Sequence, residues 1–130
     1  MASIFTKIIN KEIPGYILAE NKDFIAFLDI NPLTYGHALV VPKVEIDYIF
    51  EIENDLLGLM MQFAKKVALA LEKAVPCKRI GVAVIGLEVA HAHIHLVPLN
   101  SVSDINFSLP KKSFSKEEMQ DLTEKIKTFL

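Results

Sequence analysis

The amino-acid sequence predicts an α+β fold: a five-stranded antiparallel sheet, one long helix packed on it, and a C-terminal helix. Three observations carry this expectation. Five short runs are rich in β-branched and aromatic residues and are bounded by turn residues. From Glu51 to Val75 the period changes, and Ile52, Leu56, Leu59, Met60, Phe63, Val67 and Leu71 recur at spacings of three and four. The last stretch, "SKEEMQDLTEKIKTFL", repeats a helical pattern behind Ser115 and Glu118, which form a capping box.

The elements follow in chain order. Ser3 is placed to cap a short helix through Ile9, in a segment short enough to be only a turn. "YILAE" and "FIAFLDI" are two strands joined by the tight turn "NKD". "NPLTYG" is a loop, in which Pro32 breaks the strand and Gly36 permits unusual dihedrals. "HALVVP" is the third strand, stopped by Pro42. The long helix starts among Glu51, Glu53 and Asp55, carries Lys73 in its last turn and ends at Pro76, as the helix dipole and the proline ring favour. "RIGVAVI" and "EVAHAHIHLVP" return to strand character, and "NSVSDINFSLPKKS" is a polar connector to the last helix.

No repeat, low-complexity tract or composition break divides residues 1–130, so a single domain is expected. Hydrophobic residues make up 52% and charged residues 23%, a globular composition. A net charge of −2 argues against nucleic acid or an acidic membrane as a partner held by bulk charge. No apolar run approaches the ~18 residues that span a bilayer. The start "MASIFTKIIN" lacks the pattern of a secretory signal, and Cys77 is the only cysteine, so a cytoplasmic location is expected.

The chemistry concentrates in "HAHIHLVPL", His91 to Leu99. The chain has four histidines, and three of them stand here at alternate positions. On a strand, His91, His93 and His95 share one face, while Ala92, Ile94 and Leu96 face the long helix. Solvated surface histidines are one reading, although a surface strand more often carries Lys, Thr or Glu. A metal site is a second. Two histidines at i and i+2 can share one zinc ion, but the outer pair lies roughly 13 Å apart at about 3.3 Å per residue. A third ligand would then come from His37 or a carboxylate. Phosphate chemistry is the third reading. A neutral imidazole is a good nucleophile at phosphorus, and neighbouring imidazoles can steady the charge on phosphoryl oxygens. His93, with a partner on either side, is best placed to attack.

The segment "HAHIHLV" resembles the His-φ-His-φ-His-φ-φ motif (φ apolar) of the histidine triad, or HIT, proteins. "IFTKIINKEIP" and "FLDINPLTYGHALVVPK" resemble two further segments of that family, in the same order, and together they cover most of residues 3–98. The resemblance implies a HIT-like fold and a nucleotide hydrolase or nucleotidyl transferase without a cofactor. Such an enzyme cleaves a phosphoanhydride or phosphoramidate bond at the α-phosphate through a nucleotidyl-histidine intermediate. It implies His93 as nucleophile, His95 and His91 on the phosphate or leaving group, and His37 completing the cluster. Asp29 would bind the ribose hydroxyls, which suits a carboxylate accepting two hydrogen bonds. Phe5, Ile8, Ile13, Phe27 and Ile30 would line the base pocket, purines being favoured, although each could also be plain core.

Two departures from the family pattern bear on function. Ser3 and Thr6 stand where many relatives carry a zinc-binding Cys-x-x-Cys pair, so no metal is expected. In "VIGLEVAHAH", Leu87 and Glu88 replace the Gln and the Ser or Thr of the family's phosphate loop. Leu87 cannot hydrogen-bond a leaving group and an ionised Glu88 would repel phosphate, which leaves the backbone N–H groups of Glu88 and Val89 to serve. A nucleotide-binding module with little catalysis therefore competes with the enzyme reading, and a metal-dependent hydrolase stands third. Pro98 resembles the branch that cleaves dinucleoside polyphosphates (Fhit type), and the N-terminal segment the phosphoramidase branch (Hint type), so the branch stays open. A homodimer is expected from the resemblance and from Leu57, Met61 and Ala68, which widen the apolar stripe of the long helix beyond one face. The C-terminal helix is the other candidate to cover them.

Overall fold

A computed structural model of the chain describes residues 2–130. Its five strands are β1 (Ile17–Glu20), β2 (Phe24–Leu28), β3 (Ala38–Pro42), β4 (Arg79–Ala83) and β5 (Ile94–Leu99), and its α-helices are α1 (Ile4–Ile9), α2 (Asn54–Ala74) and α3 (Lys116–Lys127). The strands form one sheet in the order β1-β2-β3-β5-β4, antiparallel at every pairing. This is the α+β architecture expected from the patterning.

Local chemistry explains the connections. The Asn21 side chain accepts from the N–H groups of Asp23 and Phe24 at 2.9 and 2.8 Å, which turns the chain between β1 and β2. Between β2 and β3 the loop closes where Asp29 N–H donates to the His37 carbonyl at 2.9 Å, so Asp29 and His37 lie side by side. Gly36 makes that closure possible. Its φ is +93°, and a Cβ there would meet Val75, Leu71 and Pro98 at 2.9–3.2 Å. Glu53 caps α2 by accepting from Leu56 N–H at 2.7 Å, so the helix begins at Asn54, with a short 3₁₀ turn (Ile49–Glu51) ahead of it. The Ser115–Glu118 capping box is present at α3.

Alternation along the strands divides the sheet into two faces. Phe24, Ala26 and Leu28 of β2, Ala38 and Val40 of β3, and Ile94 and Leu96 of β5 pack with Met60, Ala64, Val67 and Leu71 of α2 and with Met119, Leu122 and Ile126 of α3. The opposite face carries Ile25, Phe27, Leu39 and Val41, which meet only Phe5 and Ile8 of α1 among buried residues.

The histidine segment departs from the expected strand. β5 starts at Ile94 and not near Glu88, so His91 and His93 precede the ladder and the three histidines do not share one strand face. The ladder with β3 stops at the Val40–Ile94 pair, two residues before β3 ends at Pro42. In place of a ladder, Ala92 N–H donates to the Ile46 carbonyl at 2.7 Å and the chain bends. Surface solvation is overturned as well: His91, His93, His95 and His37 are 0–7% exposed. On α2, Leu57 and Ala68 pack against the core, whereas Met61, Leu59 and Leu69 are about half exposed. No helix among the described residues is long and apolar enough to cross a membrane.

Candidate active site

The sheet face opposite α2 opens into a cleft of about 460 Å³. Its walls include Phe5, Ile8, Ile13, Phe27, Asp29, Ile30, Glu88, Val89, His93 and His95. Of the site residues expected from sequence, His91 and His37 alone do not line it. They lie behind the wall, each bonded to a part of the site that does.

Hydrogen bonds assign the proton on each ring. The His93 Nδ1 lies 2.7 Å from the His91 carbonyl oxygen, which can only accept, so Nδ1 carries the proton. In the neutral ring Nε2 is then the nitrogen with a free lone pair, on a side chain lining the cleft. The Phe5 ring meets His93 edge-on at 4.9 Å between centroids and holds its orientation.

The second pair is set from a backbone amide. Leu33 N–H donates to His37 Nδ1 at 3.0 Å, so the neutral His37 ring must carry its proton on Nε2. That nitrogen lies 2.9 Å from His95 Nδ1 and donates to it, which leaves His95 with Nε2–H as a donor. Burial disfavours the charged form of both rings, and the positive charge of Lys111 adds to this; His37 is pushed down to about 4 and His95 to about 3. His95 is therefore a neutral N–H donor at physiological pH. The other end of the triad is equally ordered: His91 Nε2–H donates to the Pro42 carbonyl at 2.7 Å, and its Nδ1 accepts from the Ser3 hydroxyl at 2.7 Å.

Asp29 sits at the mouth of this arrangement. One oxygen accepts from Asn31 N–H at 2.9 Å and the other lies 3.7 Å from His37 Nε2. Burial raises its pKa, and the Asn31 N–H and the charge of Lys111 partly offset that. Asp29, His37 and His95 bring ligand-type atoms within 4.8 Å of one another, the arrangement a metal would require. The donor set does not fit. The Leu33 N–H occupies His37 Nδ1, so Nε2 bears a proton and cannot offer a lone pair to a cation unless the ring becomes an imidazolate.

Sequence reasoning missed Phe107 and Lys111. The Phe107 ring packs edge-on against His95 at 4.7 Å and His37 at 6.3 Å, and Lys111 donates to the Phe107 carbonyl at 2.9 Å while lining the cleft. Lys112 N–H anchors this segment by donating to the Pro32 carbonyl at 2.8 Å. An aromatic and a lysine in a polar connector carry no spacing signal that marks such a role. Leu87, 88% exposed, and Glu88 stand on the facing rim.

Comparisons with known proteins agree with this geometry. The HIT domain family matches residues 10–102. An uncharacterised HIT-like protein of Borreliella burgdorferi is 33% identical over 131 residues, covering 95% of this chain and 94% of that protein. The adenosine 5'-monophosphoramidase of Schizosaccharomyces pombe is 33% identical over 132 residues, covering 97% and 96%. Among solved structures, a HIT-like protein from Bartonella henselae superposes with a TM-score of 0.84 at 29% identity, over 98% of this chain and 96% of that one. The chain therefore belongs to the HIT family.

Proposed function

We propose that this HIT-like domain is a nucleotide hydrolase or nucleotidyl transferase that attacks the α-phosphorus of a nucleoside phosphate with His93 Nε2. One observation carries the reading: the 2.7 Å bond from His93 Nδ1–H to the His91 carbonyl leaves Nε2 as an unprotonated nitrogen on the cleft side. The base stacks among Phe5, Ile8, Ile13, Phe27 and Ile30, apolar walls that suit a flat purine. The free oxygen of Asp29 accepts from the ribose hydroxyls. Nε2 forms a bond to the α-phosphorus as the leaving group departs with its electron pair. His95 Nε2–H meanwhile donates to a phosphoryl oxygen or to the departing atom. Water then displaces the nucleotide from the ring. Backbone N–H groups at Glu88 and Val89 serve the phosphate where the Leu87 and Glu88 side chains cannot.

Relatives in Saccharomyces cerevisiae and Schizosaccharomyces pombe are named adenosine 5'-monophosphoramidases. Adenosine 5'-phosphoramidate is therefore the first substrate to try, beside dinucleoside polyphosphates and phosphosulfates. Reactions quenched with alkaline denaturant, digested above neutral pH and weighed by mass spectrometry should show a nucleotidyl group on the peptide holding His93. Tight nucleotide binding with no turnover across that panel would instead make the chain a binding module.

We read the working unit as a homodimer. β4 is a sheet edge, and Val82 and Val84 on and beside it are exposed, together with Met61 and Leu69 on α2. A second copy is the partner that would cover them. Light scattering at micromolar concentration should give about twice 14.6 kDa, and a mass near 14.6 kDa would reject the dimer.

A further inference from the structure

Outside the cleft, four side chains (Glu45, Ser3, Thr6 and His91) and the Pro42 carbonyl form a hydrogen-bonded clasp that reaches the nucleophile through a single link. It begins at Glu45, on the connector after β3. Its Oε1 accepts from Ser3 N–H at 2.7 Å and from the Thr6 hydroxyl at 2.6 Å, which ties that connector to the start of α1. The Ser3 hydroxyl is thereby fixed in place. It accepts from Thr6 N–H at 3.0 Å and gives its one proton to His91 Nδ1 at 2.7 Å.

With Nδ1 accepting, neutral His91 must keep its hydrogen on Nε2, where the Pro42 carbonyl takes it. The opposite tautomer would set the Nε2 lone pair against the Pro42 carbonyl at 2.7 Å, which is costly where no water can intervene, and the Ser3 hydroxyl anchors the Nδ1 side of the ring. The ring is held at both nitrogens, and Ala92 N–H, bonded to the Ile46 carbonyl next to Glu45, holds the following peptide. The carbonyl of His91 can then present itself in one direction only, and it is this carbonyl that receives His93 Nδ1–H at 2.7 Å.

We infer that Ser3 and Glu45 are positioning residues for the nucleophile: through His91 they fix the orientation of His93, a task performed here by oxygens that satisfy one another. The inference rests on His93 being the nucleophile. None of the clasp's oxygens lines the cleft, so the effect falls on the attacking group and not on the nucleotide's own contacts.

The test combines Ser3→Ala, Ser3→Thr, Glu45→Ala and Glu45→Gln with long-range ¹H–¹⁵N spectra, which read the tautomer of each histidine directly. Steady-state turnover of adenosine 5'-phosphoramidate and binding of AMP complete it. The expected result is that wild-type His91 and His93 show the Nε2–H and Nδ1–H tautomers that their carbonyl partners require, and that Ser3→Ala shifts and broadens the ring signals of both without exchanging those tautomers. In that variant kcat should fall about tenfold while AMP affinity changes by less than about threefold. Ser3→Thr restores the hydroxyl and the rate. Glu45→Gln, whose amide oxygen still accepts from Ser3 and Thr6, stays near wild type, while Glu45→Ala loses part of the rate. Unchanged ring signals and kcat in Ser3→Ala and Glu45→Ala would overturn the inference, as would a loss of AMP affinity equal to the loss of kcat. Should Ser3→Ala fail to fold, the two Glu45 variants decide. If the wild type turns over no substrate, the proposed function fails, but the spectra still report whether the clasp sets His93.

Discussion

The two faces of the sheet are made by the same strands and have opposite fates. On one, Phe24, Leu28, Val40, Ile94 and Leu96 disappear under the helices α2 and α3, and the interior is almost purely apolar. On the other, Ile25, Phe27, Leu39 and Val41 receive one six-residue helix, and the rest of that face is left to histidines, Asp29 and a cleft. A face closed by two helices provides stability. A face half closed by one short helix keeps room for a ligand, and its polar groups must then satisfy one another. Leu39 and His95, paired across β3 and β5, show the division at one rung: one is ordinary core, the other an ordered donor.

This contrast can be tested by breaking either face alone. The largest effect on chemistry is expected from His93→Ala, which removes the nitrogen proposed to attack. Turnover of adenosine 5'-phosphoramidate should fall by more than about a thousandfold, with AMP binding and melting temperature close to wild type. Activity within about tenfold, only ~1.4 kcal/mol of barrier, is too much for a protein that has lost its covalent catalyst. The matching change on the closed face is Leu71→Ala. It should lower unfolding free energy in urea by about 2–5 kcal/mol, because the cavity left at a fully buried site cannot collapse. kcat measured below the melting range should barely move. If Leu71→Ala removed activity without lowering stability, the separation of the two faces would be wrong.

The faces should also answer pH differently. His37 and His95 have folded pKa values of about 4 and about 3, below the ordinary value near 6.5, so the unfolded chain binds more protons between those limits. Their contribution to stability is complete above pH 6.5 and is lost as pH falls towards 4. For His37 alone the loss is on the order of 3 kcal/mol. Asp29, raised by burial, works weakly in the opposite sense. Urea unfolding from pH 7 to pH 4 should therefore show a falling stability whose slope His37→Gln flattens, while Leu71→Ala shifts the curve down in parallel. Equal slopes in wild type and His37→Gln would refute the buried neutral pair.

The smallest effect is expected at Asp29. Asp29→Ala should weaken AMP by about tenfold and inorganic phosphate hardly at all, as isothermal titration would read. Equal weakening of both would remove the ribose assignment and leave Asp29 as a partner of the loop, through its bond to Asn31 N–H.

Much of this division was legible in the amino-acid order because it follows from short periods. Alternation in "FIAFL" and "ALVVP" and the three-four spacing of Met60, Phe63, Val67 and Leu71 are local signals, and they produced the sheet, the long helix and their packing. The triad, Asp29 and the apolar cleft residues were readable because they sit in contiguous motifs. What could not be read depends on contacts distant in sequence. The early start of the helix was displaced by Glu53 taking the cap. The strand expected at "EVAHAH" gives way to a bend in which Ala92 N–H bonds to the Ile46 carbonyl, more than forty residues earlier in the chain. Phe107 reaches His37 and His95 only through the path of a connector whose composition is that of an ordinary surface loop.

The Leu33 amide has a wider consequence. The protonation of His37, and through it of His95, is inherited from a main-chain group that every residue except proline possesses. A change of side chain at position 33 can alter packing but cannot delete that proton. The instruction that prepares two imidazoles is thus written in the shape of the Asp29–His37 loop and is blind to the identity of Leu33, so such a site can tolerate drift at its controlling position while its histidines stay invariant in state.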